Sequence, residues 1–194
     1  TKIIDVRHEQ AGTHAADGYA RATGKLGVMI ASTGPGTSNT VTGLYESQFG
    51  SSRVLVITGQ ADTTFYGKGL SYVHEAEKQI QMLSSVCRRV ESPRHISQLA
   101  DSFQAVVSDM FTGRPQPGAI EIPIDLQYAE AKKVAIELPG GNLFEADPSV
   151  ISKVADKIKD ASKRIFVVGG GVISSEATRE LCELAEQLDA PVLT

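Results

Sequence analysis

The chain has 194 residues, 41% of them hydrophobic and 22% charged, with a formal net charge of −4. That is enough apolar material for one good core and part of a second, but it offers no basic field to nucleic acid, and no uninterrupted apolar run reaches the ~18 residues of a membrane span. The two cysteines, Cys87 and Cys182, have neither metal-ligand nor redox-pair spacing, so reduced thiols in a cytoplasmic protein are expected.

In chain order, the apolar run Ile3–Val6 predicts a strand. Arg7-His8-Glu9-Gln10 then opens an alanine-rich helix through Ala11, Ala15, Ala16, Tyr19 and Ala20. Glu9 falls in its first turn, where the positive end of the macrodipole favours a carboxylate; taken alone, that is only a favourable helix-start charge. Gly12 and Gly18 cost the helix about 1 kcal/mol each relative to alanine, which predicts close approach, either to a partner helix or to a ligand. Gly24 stands where a C-terminal glycine is expected, and Leu26–Ala31 reads as the next strand. The Gly34-Pro35-Gly36 turn follows, with Thr37, Ser38 and Asn39 as candidate caps of another helix. Further strands are expected at Val54–Thr58, Val86–Val90 and Ala119–Ile124. Between the last two, Ile96, Leu99, Phe103, Val106, Val107 and Met110 form one apolar stripe on a helix from His95 to Phe111.

The periodicity then lapses. Residues 1–126 are expected to form one domain, 127–147 a linker, and 148–194 part of a second domain whose helix starts at Asp147-Pro148. There, a strand Arg164–Val168 leads into Gly169-Gly170-Gly171, a helix from Ser174 or Ser175 to Leu188, and a strand Pro191–Thr194. Alternating strands and helices give an α/β class with parallel sheets flanked by helices, the second domain being the start of a Rossmann-like unit. In open α/β sheets ligands bind at the carboxyl ends of the strands, where Glu9 and the Gly34–Gly36 turn are both expected. Gly169 and Gly171 also allow a rival reading as a nucleotide-binding protein, although the acidic residue that fingerprint needs falls at or beyond Thr194. The chain opens at Thr1 and closes at Thr194 inside predicted elements, so truncation at both ends is expected.

Arg7-His8-Glu9-Gln10, Asp17-Gly18-Tyr19-Ala20-Arg21-Ala22-Thr23-Gly24 and Ser32-Thr33-Gly34-Pro35-Gly36 together resemble the pyrimidine-binding domain of thiamine-diphosphate enzymes of the acetolactate synthase and benzoylformate decarboxylase type. The resemblance implies a 2-oxo acid decarboxylase or carboligase, a lyase or transferase, acetolactate synthase-like in the first instance. A simple decarboxylase of the benzoylformate type and a non-catalytic scaffold are the alternatives. It implies that Glu9 hydrogen-bonds the cofactor's aminopyrimidine and promotes its imino form, that Gly34, Pro35, Gly36 and Asn39 lie against the cofactor, and that Gln60 faces the reacting centre. It implies a homo-oligomer, dimer or tetramer, and Mg²⁺ bound outside this chain, because the family's glycine-aspartate-glycine run with its following asparagine does not occur in it. The isolated chain is therefore expected to be inactive.

Two stretches depart from the synthases. Val73-His74-Glu75 replaces a phenylalanine-glutamine-glutamate run, so His74 is a candidate for proton transfer or else an exposed loop histidine; Lys78 occupies the position a zinc-binding helix would give a second histidine. Gln81–Arg89 lacks the synthases' arginine-proline and threonine-lysine pairs, which weakens the exact synthase assignment and the inference of bound FAD.

Overall fold

The computed structural model describes residues 2–131, 133–138 and 145–194. The chain divides into two units, Thr1–Gly141 and Asn142–Thr194.

The first unit runs α1 (Glu9–Thr23), β1 (Gly27–Ala31), α2 (Pro35–Gly50), β2 (Val54–Gln60), α3 (Gln79–Ser84), β3 (Arg89–Glu91), a 3₁₀ turn at Ile96–Gln98, α4 (Leu99–Met110), β4 (Gly118–Pro123) and α5 (Ile124–Tyr128). Its four strands are parallel in the order β1-β2-β4-β3, with Ile30 opposite Ile57 and Gly59 opposite Ile122. Strand alternation sorts the core into two faces. Met29, Ala31, Val54 and Val56 pack with Ala16 and Ala20 of α1 and Leu44 of α2, while Leu55, Ile120 and Ile122 pack with Val106, Val107 and Met110 of α4. All six residues of β4 are buried, as in a strand covered on both sides.

Helix α1 begins with His8 in extended geometry, its Nδ1 accepting from the Gln10 N–H at 3.2 Å, and ends at a left-handed Gly24. A Cβ on Gly12 would collide with Met29, so that close approach is core packing; nothing lies within 4 Å of the same point on Gly18. Helix α2 starts at Pro35, two residues before the expected Thr37 cap, because proline's fixed φ and missing N–H suit a first helical position. Thr37, Ser38 and Asn39 therefore lie within its first turns and do not cap it.

Other boundaries also moved. Residues 2–6 form no strand, since none of the described strands pairs with them, and Ile3 and Ile4 are exposed. The strand expected at Val86–Val90 begins only at Arg89, because Val86 and Cys87 close α3 and fill the core. The α4 stripe forms as expected, entered through a capping box in which His95 Nδ1 accepts from the Ser97 N–H and Gln98 Oε1 from the His95 N–H. Gln127 and Tyr128, placed in the expected linker, belong to α5, and Ile136 packs beside α4 while Gln104 and Glu137 exchange hydrogen bonds of 2.8 and 2.9 Å.

The second unit has α6 (Pro148–Asp160), β5 (Phe166–Val167), α7 (Gly171–Ser174), α8 (Thr178–Leu188) and β6 (Val192–Leu193), with β5 and β6 parallel. Asp147 caps α6 by accepting from the Ser149 N–H at 2.8 Å. The single helix expected up to Leu188 is split: Glu176 is left-handed (φ 57°), and the Ala177 and Glu176 N–H groups close back on Val172 and Ile173, a glycine-type helix ending made without glycine.

Leu44 is fully buried between α2 and the sheet, whereas Ile30 is 70% exposed on the edge strand β1. Leu44→Ala is expected to cost the first unit about 2–5 kcal/mol and Ile30→Ala to stay within about 0.5 kcal/mol in denaturant unfolding monitored on that unit.

Candidate functional site

The turn after β1 is built by constraints from three sides. Gly34 has φ 62°, and a Cβ there would sit 2.8 Å from the His74 carbonyl oxygen, so both backbone conformation and space demand glycine. Gly36 is buried; a Cβ on it would collide with Ser32 Oγ and come within 3.2 Å of Glu9 Oε1. The Glu9 carboxylate and the glycine turn are thus neighbours at the carboxyl edge of the sheet, as the sequence led us to expect. Thr37 Oγ1 donates to the Ser32 carbonyl at 2.7 Å and shares a short hydrogen bond with Thr58 Oγ1, which fixes the start of α2 on the ends of β1 and β2.

Glu9 is only partly covered. Asn39 Nδ2 donates to its Oε2 at 3.0 Å, and this bond, with a backbone hydrogen bond and the neighbouring His8, lowers its pKa below the ordinary 4.5 against a small opposing effect of burial. Glu9 is therefore an ionised acceptor beside the buried backbone of Gly36, which Ser32 packs against. Asn39, expected against the cofactor, thus contacts the carboxylate given the same expectation.

A cleft of about 480 Å³ opens at the same edge, within the range of small-molecule sites, and is lined by Thr33, Gly59, Gln60, His74, Ile57 and Ile122 among others. Neither Glu9, Gly36 nor Asn39 lines it. Of the candidate residues, Gln60 and His74 line this cleft, and Ser32 and Thr33 of the turn contribute to its wall. Gln60 is 2% exposed with its amide committed: Nε2 donates to Glu121 Oε2 at 2.9 Å and to the Ala76 carbonyl at 3.2 Å, and Oε1 accepts from the Ala61 N–H at 2.8 Å. His74 is exposed, with φ 57°, and its carbonyl accepts from Thr33 Oγ1 at 3.1 Å. The loop that carries it is anchored by Asp125, which accepts from the Thr63 N–H and hydroxyl at 3.1 and 2.6 Å; burial raises the Asp125 pKa, and these bonds outweigh it to leave a net lowering.

Sequence reasoning missed Glu121 and Gln79, both buried beneath the turn. A carboxylate inside the otherwise apolar Ala119-Ile120-Glu121-Ile122 was a readable signal; Gln79 carried none. In the second unit the rival nucleotide reading fares poorly. Gly169, Gly170 and Gly171 have ordinary φ and open space around them, and the helix they lead into is four residues long.

The family described as thiamine pyrophosphate enzyme, N-terminal TPP binding domain, matches residues 1–84, and the thiamine pyrophosphate enzyme central domain matches residues 151–194. A probable acetolactate synthase large subunit of Methanocaldococcus jannaschii is 35% identical over 198 residues, covering 98% of this chain and 33% of that protein. The acetolactate synthase large subunit of Parasynechococcus marenigrum is 38% identical over 204 residues, 100% of this chain and 32% of its own length, and that of Corynebacterium glutamicum 36% identical over 201 residues, 100% and 32%. The chain spans about a third of the length of these curated relatives.

Because the folded-state value of Glu9 lies below the unfolded one, the stabilisation from its Asn39 bond is present above about pH 4.5 and is lost as pH falls through the folded-state value. Asn39→Ala is expected to raise the Glu9 titration midpoint toward 4.5, read by carboxyl-carbon NMR.

Proposed function

The chain belongs to the thiamine pyrophosphate enzyme family, and on that premise we propose that its first unit supplies the cofactor-activating carboxylate of a 2-oxo acid decarboxylase and carboligase of the acetolactate synthase kind. One observation carries the reading: an ionised carboxylate, held by Asn39, stands beside Gly36 at the carboxyl edge of a parallel sheet. The residues present fit the aminopyrimidine of thiamine diphosphate. Glu9, partly open to solvent, is an acceptor for the ring N–H that the imino form of that ring carries. When bound, the cofactor supplies the carbanion chemistry that allows a 2-oxo acid to lose carbon dioxide. This chain's part is to offer the Glu9 carboxylate as the acceptor of the ring N–H, to keep that carboxylate oriented through Asn39, and to wall the substrate side with Ile57, Ile122, Gln60 and His74.

The diphosphate and its Mg²⁺ are assigned to residues outside 1–194, and a homo-oligomeric, cytoplasmic enzyme is part of the same proposal. The position of His74 on the cleft wall favours a second reading of the product step. An imidazole there is placed as a proton donor, which suits a simple decarboxylase, and product analysis with one 2-oxo acid separates aldehyde from ligated hydroxyketone.

In the complete enzyme, Glu9→Gln is expected to slow hydrogen–deuterium exchange at the cofactor's reactive carbon by orders of magnitude; unchanged exchange removes the role given to Glu9. The 194-residue chain alone is expected to hold thiamine diphosphate with Mg²⁺ more weakly than micromolar, short of roughly −8 kcal/mol, in titration calorimetry.

A further inference from the structure

Gln79 and Glu121 take no part in the chemistry just described, yet they tie its turn to the centre of the sheet. Glu121 is fully buried in β4 and accepts four hydrogen bonds: from Gln60 Nε2 at 2.9 Å and Gln79 Nε2 at 2.8 Å on Oε2, and from Ser92 Oγ at 2.8 Å and Arg94 Nη2 at 3.3 Å on Oε1. Arg94 lies over the Tyr66 ring at 4.0 Å. An ionised carboxylate only accepts, so it dictates which way each neighbouring glutamine amide faces. With its NH₂ claimed by Glu121 and by the Gly59 carbonyl at 2.9 Å, Gln79 must present its oxygen outward. That oxygen accepts from the Gly34 N–H at 2.8 Å and from Thr33 Oγ1 at 3.3 Å.

The amide of Gln79 therefore bridges the ends of β1 and β2, and its polarity is set by a charge one layer deeper. Gly34 is the residue where the chain must turn into α2, and its N–H has no helical partner of its own. We propose that Gln79, oriented by Glu121, is a positioning residue that sets the Gly34–Gly36 turn against the aminopyrimidine beside Glu9. This rests on the thiamine diphosphate reading for the identity of the ligand, and on the hydrogen bonds alone for the control of the turn.

Amide hydrogen exchange on the 194-residue chain reads the turn with no cofactor present. Gln79→Leu is expected to lower protection of the Gly34 N–H about tenfold, the equivalent of one net hydrogen bond, with α4 amides unchanged. Glu121→Gln, which removes the acceptor that orients the Gln79 amide, is expected to lower the same protection, and the double variant Gln79→Leu with Glu121→Gln to lose no more than Gln79→Leu alone, a coupling that general loosening of the fold does not produce. In the complete enzyme the Gln79→Leu change is expected to raise the cofactor dissociation constant about tenfold while substrate KM at saturating cofactor stays within about twofold. Unchanged Gly34 exchange, additive losses in the double variant, or an unmoved cofactor constant overturns the proposal. If Glu9→Gln leaves cofactor exchange untouched while Gly34 protection still falls non-additively as described, the fault lies in the function assigned to Glu9 and the control of the turn stands.

Discussion

A carboxylate at the centre of the most deeply buried strand is the constraint around which the carboxyl edge of the first unit is arranged. Removing an ion from water costs several kcal/mol unless its oxygens are satisfied, so Glu121 can persist only if donors are brought to it. They come from separate places in the chain: Gln60 at the end of β2, Gln79 at the start of α3, and Ser92 and Arg94 after β3. Each donor fixes the loop or strand end that carries it. The lower part of the sheet is held by apolar packing on two faces, and its upper edge by this polar knot, whose geometry is directional where apolar packing is not.

That division explains what the sequence made legible. Periodicity reports apolar burial, so β1, β2, β4 and the α4 stripe could be read within a residue or two, and so could local chemistry such as the Gly24 ending and the Asp147 cap. Pairing is not a local property. Ile3–Val6 has the right residues for a strand and no partner among the described strands, and Val86 satisfies the same pattern by entering the core beside α3. The split between α7 and α8 was illegible because Glu176 adopts the left-handed turn that composition assigns to glycine.

The site was legible to a similar depth. The adjacency of Glu9 and the Gly34–Gly36 turn followed from two strand-to-helix transitions at one sheet edge. Which polar side chains would be tied up by partners did not follow, because hydrogen bonds between residues distant in sequence leave no local pattern. Thus Gln60 is committed to Glu121, Ala76 and Ala61, and Asn39 to Glu9. The turn is held by the His74 carbonyl and the Gln79 amide and lies beside Glu9.

The two cysteines have a practical consequence. Cys87 is buried in the first unit's core, and burial pushes its thiol up to about 12, so almost none of it is thiolate at neutral pH. Cys182 is exposed on α8 of the second unit. A maleimide dye added to the native chain will therefore mark a single position without any engineering, giving a spectroscopic handle on the second unit.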